Sequence, residues 1–306
     1  MMEEIYCFAG NPLDRASERR RDDAWIGALL DDPAARVLPL CDLRPLTRGA
    51  QSPTLDWQPV AAWRNAIERG ATLIFLGLGD GQPFFAIDAG PAATGADEPF
   101  DARMLAPLLP APEAAILAEA RSLIDWHARH RFCAQCGSPT RVVAAGWVRR
   151  CPECKASHYP RSDPVTIMLA VRGEYGLLGR NRRRPGNRFS CLAGFMEPGE
   201  TLEECVRREV HEESGVRVGR VRYLACQPWP FPSSLMMGFL CEALSEEIVV
   251  DPEELAEARW FSRAEIRAMV ARAATGPDDP TQVSVPGPVA IAHQICRRWS
   301  GGLDQI

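Results

Sequence analysis

Apolar positions are distributed differently along the two halves of the chain. Up to about residue 110, short apolar runs alternate with Pro, Gly and Asp. Residues 36–40, 72–78 and 83–89 read as strands and 57–69 as a helix. The Gly-Leu-Gly-Asp-Gly stretch at 77–81 matches a fragment of a dinucleotide fingerprint, but a second strand-like run follows it. A helix should stand there in a fingerprint, so the stretch reads as a hairpin turn. Residues 108–112 are Pro-rich and close the first segment. Over 113–130, Ile116, Ala120, Leu123, Ile124 and His127 share one helical face that leads into Cys133. From residue 164 onward, strand-like runs at 165–171, 222–226 and 235–242 accompany one strong helical segment, and 288–299 reads as a closing helix. There is no internal repeat or low-complexity tract. The pattern predicts an α+β domain over 1–110, a linking helix over 111–130, a cysteine-rich segment over 131–160 and a larger domain over 161–306.

Composition narrows the class. Of 306 residues, 46% are hydrophobic and 25% charged, ordinary for a globular chain with a sizeable core. A net charge of −5 argues against non-specific binding to a nucleic-acid backbone. The N-terminal residues lack the basic-then-apolar layout of a secretory signal, and no apolar stretch approaches the roughly 20 residues that span a bilayer. The expectation is a cytoplasmic protein without membrane attachment.

Eleven cysteines do not form a disulfide framework, because the number is odd and the spacing uneven. Cys7, Cys41, Cys191, Cys205, Cys226, Cys241 and Cys296 read as packing residues or free thiols. Cys133, Cys136, Cys151 and Cys154 form two C-x-x-C knuckles. Joined by a hairpin, they predict a tetrahedral four-sulfur site that suits one zinc ion. Four thiolates leave no position for water, so that zinc is expected to be structural. Zinc ribbons often bind nucleic acid, which keeps an RNA-binding or regulatory protein open. Between the knuckles, however, the only cations are Arg141, Arg149 and Arg150.

The richest stretch begins at Gly194. Pro198 and Gly199 turn the chain, Thr201 and Glu204 have the spacing of a capping box, and Gly215 sits where a helix would end. On a helical wheel at about 100° per residue, Leu202, Val206, Glu209 and Glu213 fall together, while Glu203, Glu204, Arg207 and His211 lie opposite. Most Glu-rich helices simply present a solvated face. Here Glu209 and Glu213 share the apolar stripe and should face a cleft or core. Carboxylates clustered there need cations, and hard oxygen donors suit Mg²⁺ or Mn²⁺, ions that serve pyrophosphate hydrolysis.

Residues 194–216 resemble the Nudix box, G-x5-E-x7-R-E-U-x-E-E-x-G-U, at all nine defined positions. The resemblance implies an α/β/α sandwich for the last domain, and for the whole chain an α+β class with a zinc ribbon and a separate N-terminal domain. It implies that Glu209 and Glu213 bind the catalytic metal, that Glu212 is a further ligand or the general base, and that Arg208 orients the carboxylates. Glu200 would support the loop, and the Ala193 carbonyl would be recruited to the metal. Phe195, just after the first glycine of the box, would contact substrate.

Downstream, Gln227, Pro228, Trp229, Pro230, Phe231, Pro232, Ser233 and Ser234 are similar to the S-Q-P-W-P-F-P-x-S signature of the NAD(H) pyrophosphatase branch, with Cys226 in place of the leading Ser. Bacterial members of that branch also remove NAD caps from RNA 5′ ends. The prolines stiffen the segment, and Trp229 and Phe231 offer flat faces to a base. By the same resemblance, Tyr159 after the ribbon is a base-stacking residue and Ala290 lines the nucleotide pocket. Glu254 supplies another metal ligand, with Glu253 and Glu257 as alternatives. The basic run at 180–188 reads as a solvated loop or as a steering patch for phosphates or an RNA 5′ end. The expected reaction is metal-dependent hydrolysis of NAD(H) or NAD-capped RNA by a homodimer. ADP-ribose and diadenosine polyphosphates stand as alternative substrates.

Overall fold

The computed structural model describes residues 6–49, 51–91, 100–183, 186–276, 279 and 281–303. Residues 1–5, on which most of the N-terminal reading rested, lie outside these, as do Arg184 and Pro185 of the basic run. The chain divides into two compact units, Met1–Ser162 with Pro228–Ser233, and Asp163–Gln227 with Ser234–Ile306.

The first unit contains α1 (Asp23–Asp31), β1 (Arg36–Cys41), β2 (Leu73–Gly79), β3 (Gln82–Asp88) and α2 (Ala111–Arg129). β2 and β3 form an antiparallel hairpin in which Gly79 faces Gln82. Asp80 and Gly81 make the turn, both at positive φ (50° and 82°). That is the two-residue turn whose twist matches the flanking strands, so the fingerprint-like glycines are hairpin residues. β3 runs parallel to β1, and Val37, Phe75, Phe85 and Ile87 form a core covered by Trp25, Ile26, Leu29 and Leu30 of α1.

The helix expected over 57–69 is much shorter. Gln58–Pro59 pairs with β1 as a strand, Val60–Trp63 is a 3-10 turn, and only Arg64–Glu68 is α-helical. Gln58 precedes a proline, which favours extended backbone there. Helix α2 buries its predicted stripe of Ile116, Ala120, Leu123, Ile124 and His127, and also Ala115, Ala118, Glu119, Asp125 and Trp126. It packs on β2 and β3, yet its burial extends well beyond one face.

Beyond α2, strands β4 (Arg141–Val143), β5 (Val148–Arg150) and β6 (Ser157–His158) form a small antiparallel sheet. His127 ties α2 to it. Its Nε2 lies 2.7 Å from the Gly146 carbonyl and its Nδ1 3.0 Å from Arg149 Nη1. Since the guanidinium can only donate, Nδ1 accepts and Nε2 carries the proton.

The second unit is built on one mixed sheet of β7 (Asp163–Arg172), β8 (Tyr175–Asn181), β9 (Leu192–Phe195), β10 (Val218–Trp229, within this unit as far as Gln227), β11 (Ser234–Ala243) and β12 (Leu255–Ser262). The strand order is β10-β11-β7-β8-β12, with β9 also paired to β7. β7 and β11 are parallel and nearly continuous in apolar residues, as strands covered on both faces must be. Met168 and Ala170 of β7 join the cluster with Val206 and Val210 of α3 (Leu202–Ser214). On the other face, Leu169, Ile266 of α4 (Arg263–Thr275) and Trp299 of α5 (Ile291–Ser300) crowd around Gly176. The unit is therefore an α/β/α sandwich. Helix α4 was not read from the sequence, although Ser262 and Glu265 form a full capping box at its start.

Burial, with Arg149 adding to it against the Gly146 carbonyl, pushes the His127 pKa from 6.5 down to about 4. This contribution to stability is complete above pH 6.5 and is lost as pH falls toward 4, because the unfolded chain then binds the extra proton. The expected loss is about 1 kcal/mol by pH 5.5 and about 3 kcal/mol by pH 4. Urea midpoints between pH 7.5 and 5.5 check this: His127→Gln should flatten the slope, and an unchanged slope would refute the assignment.

Candidate active site and metal centres

The loop–helix of residues 194–216 gathers its acidic groups around one cation. Thr201 and Glu204 form the predicted capping box, and Gly215 ends α3 in the left-handed conformation at φ 72°. The helix buries Glu209 and Glu213 on the same side as Val206 and Val210, while Glu203, Glu204, Arg207 and His211 are exposed. Arg208 lies between these sides. Its Nε and Nη2 grip Glu200 at 3.0 and 2.6 Å, and Nη1 reaches Glu209 at 2.7 Å and Glu212 at 3.0 Å. Nη2 also donates to the Phe195 carbonyl at 2.9 Å. The Arg208 bond, assisted by the Glu197 amide, lowers the Glu200 pKa to about 2. The carboxylates in turn raise that of Arg208 above its ordinary value.

Glu209 lies directly against Gly194 of β9. A Cβ on that glycine would sit 1.7 Å from the Glu209 carboxyl carbon. The close approach, rather than an unusual φ, is what requires glycine. Burial raises the Glu209 pKa despite Arg208. Glu213 has no such cation among the described residues. Burial first, then the charges of Glu254 and Glu209, raise its pKa to about 8, against one hydrogen bond involving the Ala193 backbone. Its Oε2 is buried without a hydrogen-bond partner. A buried, unpartnered carboxylate oxygen beside other acidic groups fits a divalent cation held by hard oxygen donors.

Glu254 is exposed, and the turn that carries it is tied to α3 by the Asp251 amide donating to the Glu213 carbonyl at 3.2 Å. Among the described residues, only the four cysteines draw three or more ligand atoms within 4.8 Å of one another. The carboxylates interact at longer range. Glu253 and Glu257 are instead paired with Arg182 and Arg180 of the basic run, at 3.6 and 3.5 Å.

The two cysteine knuckles converge as predicted. Cys133–Cys154 and Cys136–Cys151 sulfurs are each 3.5 Å apart, and His158 Nε2 lies 3.3 Å from Cys133 Sγ. The Cys133 and Cys151 amides donate to the Ser138 and Ala156 carbonyls, closing each turn. Such a compact set of thiols fits one structural zinc ion.

The remaining predicted residues separate into groups. Phe195 and Tyr159 expose their rings. Gln227 is buried, its Nε2 donating to the Val289 carbonyl at 2.7 Å and its Oε1 accepting from the Ile291 amide at 2.8 Å. It thereby fixes Ala290, the N-cap of α5. Pro228, Trp229, Pro230, Phe231, Pro232 and Ser233 belong to the first unit, whereas Ser234 opens β11 in the second. Sequence reasoning gave no sign of Phe8, Arg103 and Arg121, which surround Trp229 and Phe231. They lie more than a hundred residues away along the chain and carry no local motif. Cys226, the departure from the signature, is exposed.

Two substitutions probe these centres. Gly194→Ala should displace only the flexible end of Glu209, cutting turnover roughly a hundredfold with the fold retained. Full turnover in a folded variant would show that the position of Glu209 is unimportant. Cys151→Ser should abolish bound zinc in elemental analysis and lower the thermal midpoint, and retention of stoichiometric zinc would contradict the four-thiolate assignment.

Three family models match the chain: the NUDIX domain over 161–282, the NADH pyrophosphatase zinc ribbon domain over 128–159, and the NADH pyrophosphatase-like rudimentary NUDIX domain over 34–126. The NAD-capped RNA hydrolase NUDT12 of Homo sapiens is 39% identical over 95% of this chain and 72% of its own length. The NAD-capped RNA hydrolase NudC of Stutzerimonas stutzeri is 46% identical over 51% of this chain and 57% of its own. A solved NUDIX hydrolase from Nitrosomonas europaea is similar at a TM-score of 0.45 and 24% identity, over 56% of this chain and 92% of that one. The chain belongs to the Nudix hydrolases, in the group that carries the NADH pyrophosphatase zinc ribbon.

Proposed function

We propose that the protein hydrolyses the pyrophosphate bond of NAD(H) to NMN(H) and AMP, and that of NAD-capped RNA to NMN and 5′-monophosphate RNA. The observation that carries this reading is the Arg208-centred carboxylate array, with Glu213 left buried and without a cation. The names of the relatives support the substrate.

Glu209, Glu213, Glu254 and the Ala193 carbonyl are the residues to hold Mg²⁺ or Mn²⁺. When bound, the ion offsets phosphate charge and lowers the pKa of a water molecule. Arg208 keeps Glu209 and Glu212 in place. Glu212, more than half exposed, is positioned to take the water proton or to serve as a further ligand. The water oxygen bonds to one phosphorus as the bridging oxygen departs with the other nucleotide. Tyr159 and Phe195 offer exposed rings for stacking, and Trp229 and Phe231 are the aromatic pair of the signature loop. Gln227 supports the backbone at Ala290. No helix among the described residues is long and apolar enough to cross a membrane. The seven cysteines outside the zinc ribbon, none of them in a disulfide, suit a reducing cytoplasm. Pairing of two copies, implied by the family resemblance, belongs to the same reading, and sedimentation tests it.

The deciding experiment is competitive turnover of NADH, NAD-capped RNA, ADP-ribose and diadenosine polyphosphate by the zinc-loaded protein with Mg²⁺ or Mn²⁺. NADH and capped RNA should prevail, and Glu213→Gln should slow both roughly a hundredfold or more. Preference for either alternative substrate would overturn the assignment, and undiminished hydrolysis by the variant would overturn the metal site.

A further inference from the structure

The signature loop is held by side chains that family motifs do not mark. Trp229 and Phe231 meet edge to face, 5.3 Å between centroids. Phe8, only 2% exposed, stands edge-on to both rings at 5.8 Å. Arg121 sits 4.5 Å from the Phe231 centroid and donates to the Pro230 carbonyl. Arg103 lies 4.5 Å from Phe231 and 5.5 Å from Trp229. Both arginines project from helices. Arg121 projects from α2, a helix already packed on β2 and β3. Arg103 sits in the short helix Ala102–Leu105, whose first turn is capped by the Asp101 side chain accepting from the Arg103 amide at 2.8 Å.

A hydrophobic staple would need only Phe8. Two guanidinium groups at one phenyl ring repel each other, and Asp125 and Asp101 offset their charge. Burial lowers the pKa of Arg121, a sign that its head group has lost water. A desolvated cation over a ring holds it more firmly than an exposed one. Trp229 and Phe231 themselves remain only partly buried, so each keeps free surface.

We infer that Arg121 and Arg103, with Phe8, are positioning residues that set the pose of Trp229 and Phe231, so that substrate recognition by this loop depends on the N-terminal unit. This rests on the proposed reading of the loop as a substrate contact.

The test uses the full-length, zinc-loaded protein with Mg²⁺ and NADH. Arg121→Met keeps the aliphatic stem but removes the cation and the donor. KM should rise roughly fivefold to twentyfold, the range that a lost cation–π contact plus a hydrogen bond converts to, with kcat within about twofold. Arg121→Lys should recover part of the loss, and Arg103→Met should raise KM in the same direction even if Arg121→Met fails to fold. In a double-mutant cycle, Arg121→Met should add less than about twofold once Phe231→Ala, which removes the ring that Arg121 faces, is present. Independent, multiplying effects, or an unchanged KM with only a lowered thermal midpoint, would overturn the inference. A separate readout is the ¹⁹F signal of 5-fluorotryptophan at Trp229, identified with Trp229→Phe. It should shift or broaden in Arg121→Met, and an unchanged signal would also overturn the inference. If Trp229→Ala and Phe231→Ala leave NADH turnover untouched, the substrate role of the loop fails, and the ¹⁹F result still decides the positioning role.

Discussion

A single guanidinium makes this acidic site possible. Glu200, Glu209 and Glu212 would repel one another if gathered without a cation, and two charges at a few ångströms cost more as water is withdrawn. Arg208 answers with planar, fixed donors that a lysine could not match: a two-point grip on Glu200 and shared bonds to Glu209 and Glu212. Because it also holds the Phe195 carbonyl, the loop and the helix cannot drift apart without breaking a charge-assisted bond. Glu213 is the exception. It is one turn further along, out of this network, and its carboxyl is the group whose ionisation the protein alone disfavours. Arg208 thus serves Glu200, Glu209 and Glu212 and leaves Glu213 as the acid on which an incoming cation would act.

The close packing of Gly194 on Glu209 gives the same arrangement a steric definition. Arg208 sets the direction of the Glu209 carboxylate by electrostatics, and the bare Cα of Gly194 sets its depth. Behind it, Val206 and Val210 fix the helix to β7, so the acidic edge is carried on the apolar core of the sandwich.

Local patterns were legible where chemistry and spacing agreed. The capping box at Thr201, the glycine after α3 and the shared stripe of Val206, Glu209 and Glu213 all follow from helical periodicity, and the structure has them so. The Asp80-Gly81 turn and the cysteine knuckles are similarly local. What the sequence hid was pairing over distance. Nothing near Phe8, Arg103 or Arg121 points to a loop more than a hundred residues away. The segment 57–69 looked helical by its apolar positions, but Pro59 and strand pairing with β1 took its beginning. Helix α4 was missed although Ile266, Met269 and Val270 have helical spacing and Ser262 and Glu265 form a capping box.

The assignment of Pro228–Ser233 to the first unit has a consequence for inheritance. A recombination event that joined a foreign leading segment at residue 162 would bring in the rest of the catalytic unit intact, yet leave six residues without the neighbours that shape them. The two parts of the chain are therefore poor modules for shuffling. Changes around Phe8, Arg103 or Arg121 must be tolerated by Trp229 and Phe231 in the same lineage, which ties the drift of the first half of the gene to that of the second.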